Sequence, residues 1–275
     1  FLKGSQAIAA NDLDKKFLTS AVLDLNIEND HISLSGFSFA DSSTTLQMIK
    51  GITGAPLDMS DVISNGTSIL QHFSFQDPYL WRDQQKNADL HDHKKSHSDL
   101  SVIPRDALKF LDQEISRAIQ IRNGQKVPIL VIECKNSEGL INYLDAIAKQ
   151  IPNQRSDHFF IEQYNQHIIR QLPVKNLAAL LFGDIAKDLP EGYYSSFENY
   201  VLMSPNLPVL KEFLSDILNE NTWGKTLSEK KFLKKINKAS PHTIIVNGAE
   251  SWDHLYPAMQ PKWQNDFMMS EMVFK

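Results

Sequence analysis

The stretch EISRAIQIRNGQKVPILVIEC, Glu114 to Cys134, decides the fold. Residues 114–122 and 126–134 read as two strands. Between them Asn123-Gly124 is the strongest short hairpin signal, because a two-residue turn of this kind needs positive φ at its centre and Asn and Gly tolerate it. Strands joined this way pair antiparallel. Beyond Cys134 the apolar period changes from two to 3.6. Asn136 or Ser137 caps a helix in which Leu140, Tyr143, Leu144, Ile147 and Ile151 recur at three- and four-residue spacing, and Pro152 stops it. The helix is expected to pack on the sheet that the hairpin founds.

Towards the N-terminus, Leu23, Leu25 and Ile27 alternate with Asp24 and Asn26, and Ile32 and Leu34 resume the alternation towards Phe37 and Phe39 after a turn at Glu28-Asn29-Asp30. That is a second hairpin. Residues 41–45 read as a loop or helix start. Ser64-Asn65-Gly66-Thr67 is a turn before the apolar stretch 69–75, and residues 76–88 read as helix with Tyr79, Leu80 and Trp81 available for packing. Residues 87–101 are the most polar part of the chain and read as an exposed loop. Pro104 suits the first turn of a short helix carrying Leu108 and Leu111.

Towards the C-terminus, residues 158–163, 167–172, 177–185 and 193–203 read as strands. Ser204-Pro205 reads as the opening of a helix with Leu207, Leu210, Phe213, Leu214 and Ile217 on one face. Thr226 and Glu229 have capping-box spacing ahead of Phe232, Leu233 and Ile236. Residues 243–246 form a short strand ended by Asn247-Gly248. Strands arriving mostly in hairpins, with helices inserted, predict an α+β fold: a largely antiparallel sheet with packed amphipathic helices. The expected division is a hairpin-and-helix segment over 1–88 and an α+β lobe over 102–275.

The chain has 275 residues, 42% hydrophobic and 22% charged, with a formal net charge of −5. That suffices for a core and is unlike a disordered chain. No concentrated basic surface is legible, which argues against nucleic acid as a partner. The single cysteine, Cys134, excludes an internal disulfide and reads as a buried strand residue. No apolar run approaches the ~20 residues of a membrane-spanning helix. Phe1 and Lys275 both read as cut ends of a piece of a larger protein, so the absence of an export signal or anchor from this sequence carries little weight.

Three groups of residues carry a resemblance. They are His72-Phe73-Ser74-Phe75-Gln76-Asp77-Pro78, then Leu111-Asp112-Gln113-Glu114-Ile115, and then the run from Tyr193 through Tyr200-Val201-Leu202-Met203-Ser204 into Leu210, Phe213-Leu214, Thr222-Trp223 and Phe232-Leu233. From about Thr67 onward the chain resembles the long, exported, uncharacterised proteins of Bacteroidetes that carry a conserved domain of unknown function. The resemblance implies a place in the periplasm or at the cell surface, membrane-anchored in the full-length protein, with another envelope protein as partner. It carries over no catalytic residue.

His91, His93 and His97, with Asp89, Asp92 and Asp99, form the one metal-like spacing, but the segment lacks an apolar face and two lysines separate His93 from His97, so a solvated loop is expected. Gly224-Lys225-Thr226 mimics the end of a phosphate-binding loop, yet Asn219 stands where its first glycine belongs, so it reads as a helix start. No Gly-x-Ser-x-Gly motif occurs. Glu133 and Glu162, with His158 and His167, are the polar residues that would matter if they met in a pocket. Asn65-Gly66-Thr67 fits a glycosylation acceptor but reads better as a turn. Trp252, Tyr256, Met259, Trp263 and Phe267 read as packing residues of the last elements, with a binding surface as the alternative. No catalytic, cofactor or metal residue is assigned. The expected function is a non-enzymatic scaffold or protein-binding module of the cell envelope; the alternative is an exported hydrolase or glycan-binding protein.

Overall fold

The structure is a computed structural model that describes residues 20–27, 32–39, 49–88, 104–150, 160–236 and 239–251. Strands β1 (Ser20–Ile27) and β2 (Ile32–Phe39) pair antiparallel from Ile27 opposite Ile32 to Ser20 opposite Phe39, as the alternation predicts. They make a two-stranded sheet of their own.

A 3₁₀ turn at Met59–Val62 precedes β3 (Ile69–Ser74) and helix α1 (Pro78–Ala88). A short helix, α2 (Pro104–Leu108), leads into β4 (Leu111–Arg122) and β5 (Gln125–Cys134). The deciding hairpin is as read: Arg122 faces Gln125, with Asn123 at φ 52° and Gly124 at φ 74° between them. Leu111, expected on the helix, instead opens β4. Next comes helix α3 (Ser137–Lys149), whose cap is Asn136: its side-chain oxygen accepts the N–H of Gly139 at 2.8 Å, satisfying one of the open donors of the first turn. Leu140, Leu144 and Ile147 are buried against β5.

The chain continues as β6 (Phe160–Tyr164) and β7 (His167–Gln171), then helix α4 (Leu177–Phe182) with a 3₁₀ turn at Gly183–Ala186. Residues 177–185 were expected as a strand, and this is a correction. The run is Leu- and Ala-rich, which favours helix. A short, wholly apolar run does not by itself separate strand from buried helix. Its buried positions, Leu177, Ala178, Leu181, Phe182, Ile185 and Ala186, fall at helical spacing, and Gly183 at φ 79° ends the α-helix.

Residues 193–203, read as a single strand, are two: β8 (Tyr193–Phe197) and β9 (Tyr200–Ser204). The turn is Glu198-Asn199, with Glu198 at φ 50°. Glu is a poor advertisement for positive φ, so the turn was not legible. Helix α5 (Leu207–Leu218) begins two residues later than Ser204-Pro205 suggests, because Asn206 caps it by accepting the N–H of Val209 at 3.0 Å. Helix α6 (Leu227–Ile236) follows Thr226, whose carbonyl accepts the N–H of Lys230. The last strand is β10 (His242–Val246).

Eight strands form one sheet in the order β10-β3-β4-β5-β9-β8-β7-β6, every neighbouring pair antiparallel. The protein is α+β. The central strand β5 is buried continuously from Val127 to Ile132, so both faces of the sheet need a cover. On one face Leu130, Ile132, Cys134, Val201 and Met203 meet α1, α2, α3 and α4, with Trp81 stacked on Phe75 at a centroid distance of 4.7 Å. On the other, Ile129, Val131 and Leu202 meet the 59–62 turn, Trp223 and helix α5. Five buried side chains of α5, Val209, Leu210, Phe213, Leu214 and Ile217, contribute on the order of 10 kcal/mol of apolar transfer before the entropy of ordering is subtracted.

Candidate functional site

Sheet order separates the polar residues that the sequence offers. Glu133 lies on β5 and Glu162 on β6, four strand positions apart. At the usual interstrand spacing that is about 19 Å, beyond the reach of a paired-carboxylate hydrolysis mechanism. Glu162 is held by Lys211 at 2.8 Å. His167 lies against Phe197, and its Nδ1 is 2.9 Å from the carbonyl oxygen of Ser196. His158 lies outside the described residues, as do His91, His93 and His97. Among the described residues no three His, Cys, Asp or Glu side chains are placed to hold a metal ion, and no helix is long and apolar enough to cross a membrane.

Three further readings keep their local explanations. Cys134 is buried, and burial pushes its thiol up to about 12, the wrong direction for a nucleophile. Lys225 pairs with Asp61 at 3.1 Å, and Gly224 donates its N–H to the Ser60 carbonyl, so this is a packed turn ahead of α6. Asn65 points inward, donating to Asn221 Oδ1 at 2.8 Å and to Thr226 Oγ1 at 2.5 Å, while Thr67 N–H closes the turn on the Ser64 carbonyl.

The structure gathers carboxylates beside the first hairpin, where Glu114 and Glu133 feel each other and their neighbours Asp58 and Asp112, a group the sequence reading did not name. Between Leu111 opposite Cys134 and Ile115 opposite Ile132, β4 carries two more residues than β5. Continued by one residue from Ile115 opposite Ile132, the hairpin register aligns Glu114 with Glu133 where the bulge begins. Glu114 is 2% exposed and receives the backbone N–H groups of Asp58 at 2.9 Å and Met59 at 3.0 Å. Burial raises its carboxyl to about 7 against the pull of those two donors, with Glu133 and Asp58 adding to the rise. Burial also raises Glu133, although Gln113 N–H donates to it at 3.3 Å. Tyr200, paired with Glu133 across β5 and β9, is pushed up by burial and by both glutamates. Chemically the group is a clamp. Both oxygens of Glu114 hold Asp58 and Met59, at the start of the 59–62 turn, onto the sheet, and burial closes that carboxyl off from solvent.

A buried serine–histidine pair is likewise closed. His72 Nδ1 is 2.9 Å from Ser116 Oγ, both residues are buried, and burial lowers the imidazole to about 4. A neutral imidazole under a packed layer has no approach for a substrate.

The open chemistry is apolar and gathers where the sheet ends. Among the described residues β10 is an edge strand, paired with β3 from His242 opposite Phe73 to Val246 opposite Ile69. Its Ile244 and Val246 are 47% and 50% exposed. Nearby Phe232 on α6 is 47% exposed and Leu227 73%. Between α6 and β10 lies a groove of about 260 Å³ lined by Trp223, Phe232, Leu233, Ile245, Val246, Asn247 and Gly248. It is smaller than the ~300–1,000 Å³ of pockets that enclose a small-molecule ligand. Reading the sequence missed this corner because Trp223, Phe232 and Leu233 read as packing residues of α6; only the sheet order makes β10 an edge. Compared with family models, with curated proteins and with solved structures, the chain matches none.

Proposed function

We propose that this protein is a non-enzymatic, protein-binding module of a larger exported protein, working in the cell envelope, and that the β10 corner is where a partner engages it. One observation carries the reading: the sheet ends in a strand with Ile244 and Val246 exposed and no Lys, Pro or acidic residue between His242 and Val246. Edge strands are ordinarily blunted by such residues, because their open N–H and C=O groups template pairing with another chain. An unblunted apolar edge suits an extended segment added as a further strand, with backbone hydrogen bonds supplying affinity and alternate side chains specificity. The resemblance of residues from Thr67 onward to exported Bacteroidetes proteins supports the envelope as the place of action. The hydrolase alternative has less behind it, since Glu133 and Glu162 stand apart and Glu114 is engaged by backbone donors.

The test replaces Ile244 and Val246 together by lysine, at exposed positions where the fold tolerates charge. A photo-crosslinker at Thr243 in the native envelope should capture a defined partner from the wild-type chain and lose it in the double variant. Turnover of an envelope glycan or peptide by the purified chain, abolished by Glu133→Gln, would replace this reading with the hydrolase.

A further inference from the structure

Helix α6 turns two faces to different surroundings. Leu233 is buried in the core that α5 covers, and Phe232 and Leu233 line the groove beside β10. Leu227, Lys230, Lys231 and Lys234 line no part of that groove, and all four are exposed. Their spacing, i, i+3, i+4 and i+7, sets them on one stripe of the helix. At 73%, Leu227 is the most exposed large apolar side chain among the described residues, and it shares its stripe with three ammonium groups.

That stripe is unfavourable by itself. Lysines three or four residues apart on a helix repel, and Lys231 with Lys234 and Lys230 with Lys234 are such pairs. Three other lysines of the molecule are neutralised by carboxylates: Lys175 by Glu191 at 3.7 Å, Lys211 by Glu162 at 2.8 Å and Lys225 by Asp61 at 3.1 Å. Lys230, Lys231 and Lys234 have no ion-pair partner among the described residues. Charge is segregated as well. Residues 227–236 hold four lysines and one glutamate, in a chain whose formal net charge is −5.

The complement of this stripe is anionic, with an apolar layer for Leu227. A convex helix face offers no cleft for an extended peptide, which needs a groove or a sheet edge. Three lysines on a helix about 15 Å long are a small footprint for nucleic acid, whose phosphates offer a leucine nothing. An anionic bilayer supplies both parts in the right order. Phosphates lie at its surface and acyl chains just beneath, and lysine stems reach back to the headgroups from beside a leucine that dips in.

We propose that the outward stripe of α6 is a docking surface for an anionic lipid bilayer, with Lys230, Lys231 and Lys234 on headgroup phosphates and Leu227 at the boundary of headgroups and acyl chains. This goes beyond the partner-strand reading and does not rest on it, because β10 and the groove contribute none of these four side chains.

The experiment is co-sedimentation of the whole chain with vesicles of three parts phosphatidylcholine to one part phosphatidylglycerol, compared with pure phosphatidylcholine vesicles. Because the chain as a whole is anionic, attraction to anionic vesicles must come from a local cationic face. Binding is expected to be at least about tenfold tighter on the anionic vesicles. It should weaken as salt rises from about 0.1 M to about 1 M, where the screening length falls from roughly 10 Å to 3 Å. Replacing Lys230, Lys231 and Lys234 together by glutamine should lower the affinity for anionic vesicles at least about tenfold, with circular dichroism unchanged. In a second variant, Leu227→Cys carries an environment-sensitive dye, placed selectively because Cys134 is buried. Its emission should shift to the blue on anionic vesicles. No binding to anionic vesicles, equal binding to both kinds, or undiminished binding by the triple lysine variant would overturn the proposal. So would a dye that stays in water while the chain binds soluble polyglutamate or duplex DNA, which would give the stripe to an acidic protein or to nucleic acid.

Discussion

Two units of the molecule are built alike and end up opposite. In the first, β4 and β5 form a two-residue hairpin, Asn136 caps α3, and α3 packs beside Leu130, Ile132 and Cys134. In the second, β8 and β9 form a two-residue hairpin, Asn206 caps α5, and α5 packs on the other face, beside Leu202. Both connectors between strand and cap have the same length, one residue: Lys135 and Pro205. The difference is the direction of the last strand residue. Cys134 points to the face that α3 covers. Ser204 alternates with Met203 and so shares the face of Leu202, and its Oγ accepts the N–H of Asn206 at 3.2 Å. Each helix follows the side chain on which its strand ended. Because β5 and β9 pair in the middle of the sheet and are apolar on both sides, both faces must be covered, and the parity of the strand ends divides the work.

The largest effects should come from uncovering either face. Phe213→Ala is expected to cost about 3–5 kcal/mol and Leu144→Ala about 2–5 kcal/mol in urea unfolding, since both side chains are fully buried. Because the two residues sit in clusters on opposite faces, the double variant should show their sum to within about 0.5 kcal/mol. A larger departure would mean that the faces communicate through β9, and the picture of two independent units would fail.

The second prediction separates the units by pH. Glu114 sits at the bulged start of the first hairpin, and its folded-state value, about 7, lies above the ordinary 4.5. At this one site the folded chain therefore binds more protons than the unfolded one between those values, so the Glu114 contribution falls as pH rises through that window, while His72 and His242, lowered by burial to about 4, contribute in the opposite direction. The contribution is full below about 4.5 and lost above 7, amounting to at most roughly 3 kcal/mol. Denaturation midpoints measured from pH 4.5 to 7.5 isolate it as a difference: wild type minus Glu114→Gln should fall with pH even if that variant is less stable throughout. A difference that stays constant with pH would place the titration elsewhere.

The smallest effects are in the turns. Gly124 holds φ 74°, so Gly124→Ala should destabilise by about 1 kcal/mol, whereas Glu198 holds φ 50° without glycine's freedom, so Glu198→Gly should stabilise by a few tenths to about 1 kcal/mol. Opposite signs in thermal melts would confirm that one hairpin is written in its turn residues and the other is imposed on them.

That contrast explains what could be read in advance. Asn123-Gly124 names its own turn, and the spacing of Leu140, Leu144 and Ile147 names its own helix, because backbone preference and periodicity act within a few residues. Residues 177–185 were misassigned because in a run that is apolar almost throughout, the buried positions Leu177, Ala178, Leu181, Phe182 and Ile185 do not stand out from Ala179 and Leu180 by residue type, and residues 193–203 because Glu198-Asn199 is shaped by pairing of the strands around it. The candidate site was less legible still. The Asn123-Gly124 register aligns Glu114 with Glu133, but the burial of Glu114 under the backbone donors of Asp58 and Met59 comes from a distant segment, and Ile244 and Val246 matter only because nothing among the described residues pairs beyond β10.

By itself the sequence determined the kind and approximate place of most elements, the antiparallel hairpin at the centre, and thus the α+β class, since turn chemistry, capping and alternation are local properties of the chain. Only the tertiary structure decided that Leu130 pairs with Met203 and Ile69 with Val246, which face each helix covers, which carboxylates meet, and where the sheet stops. Those outcomes depend on contacts between residues far apart in the chain, whose free energy comes from burying both faces of one sheet at once and is written in no single segment.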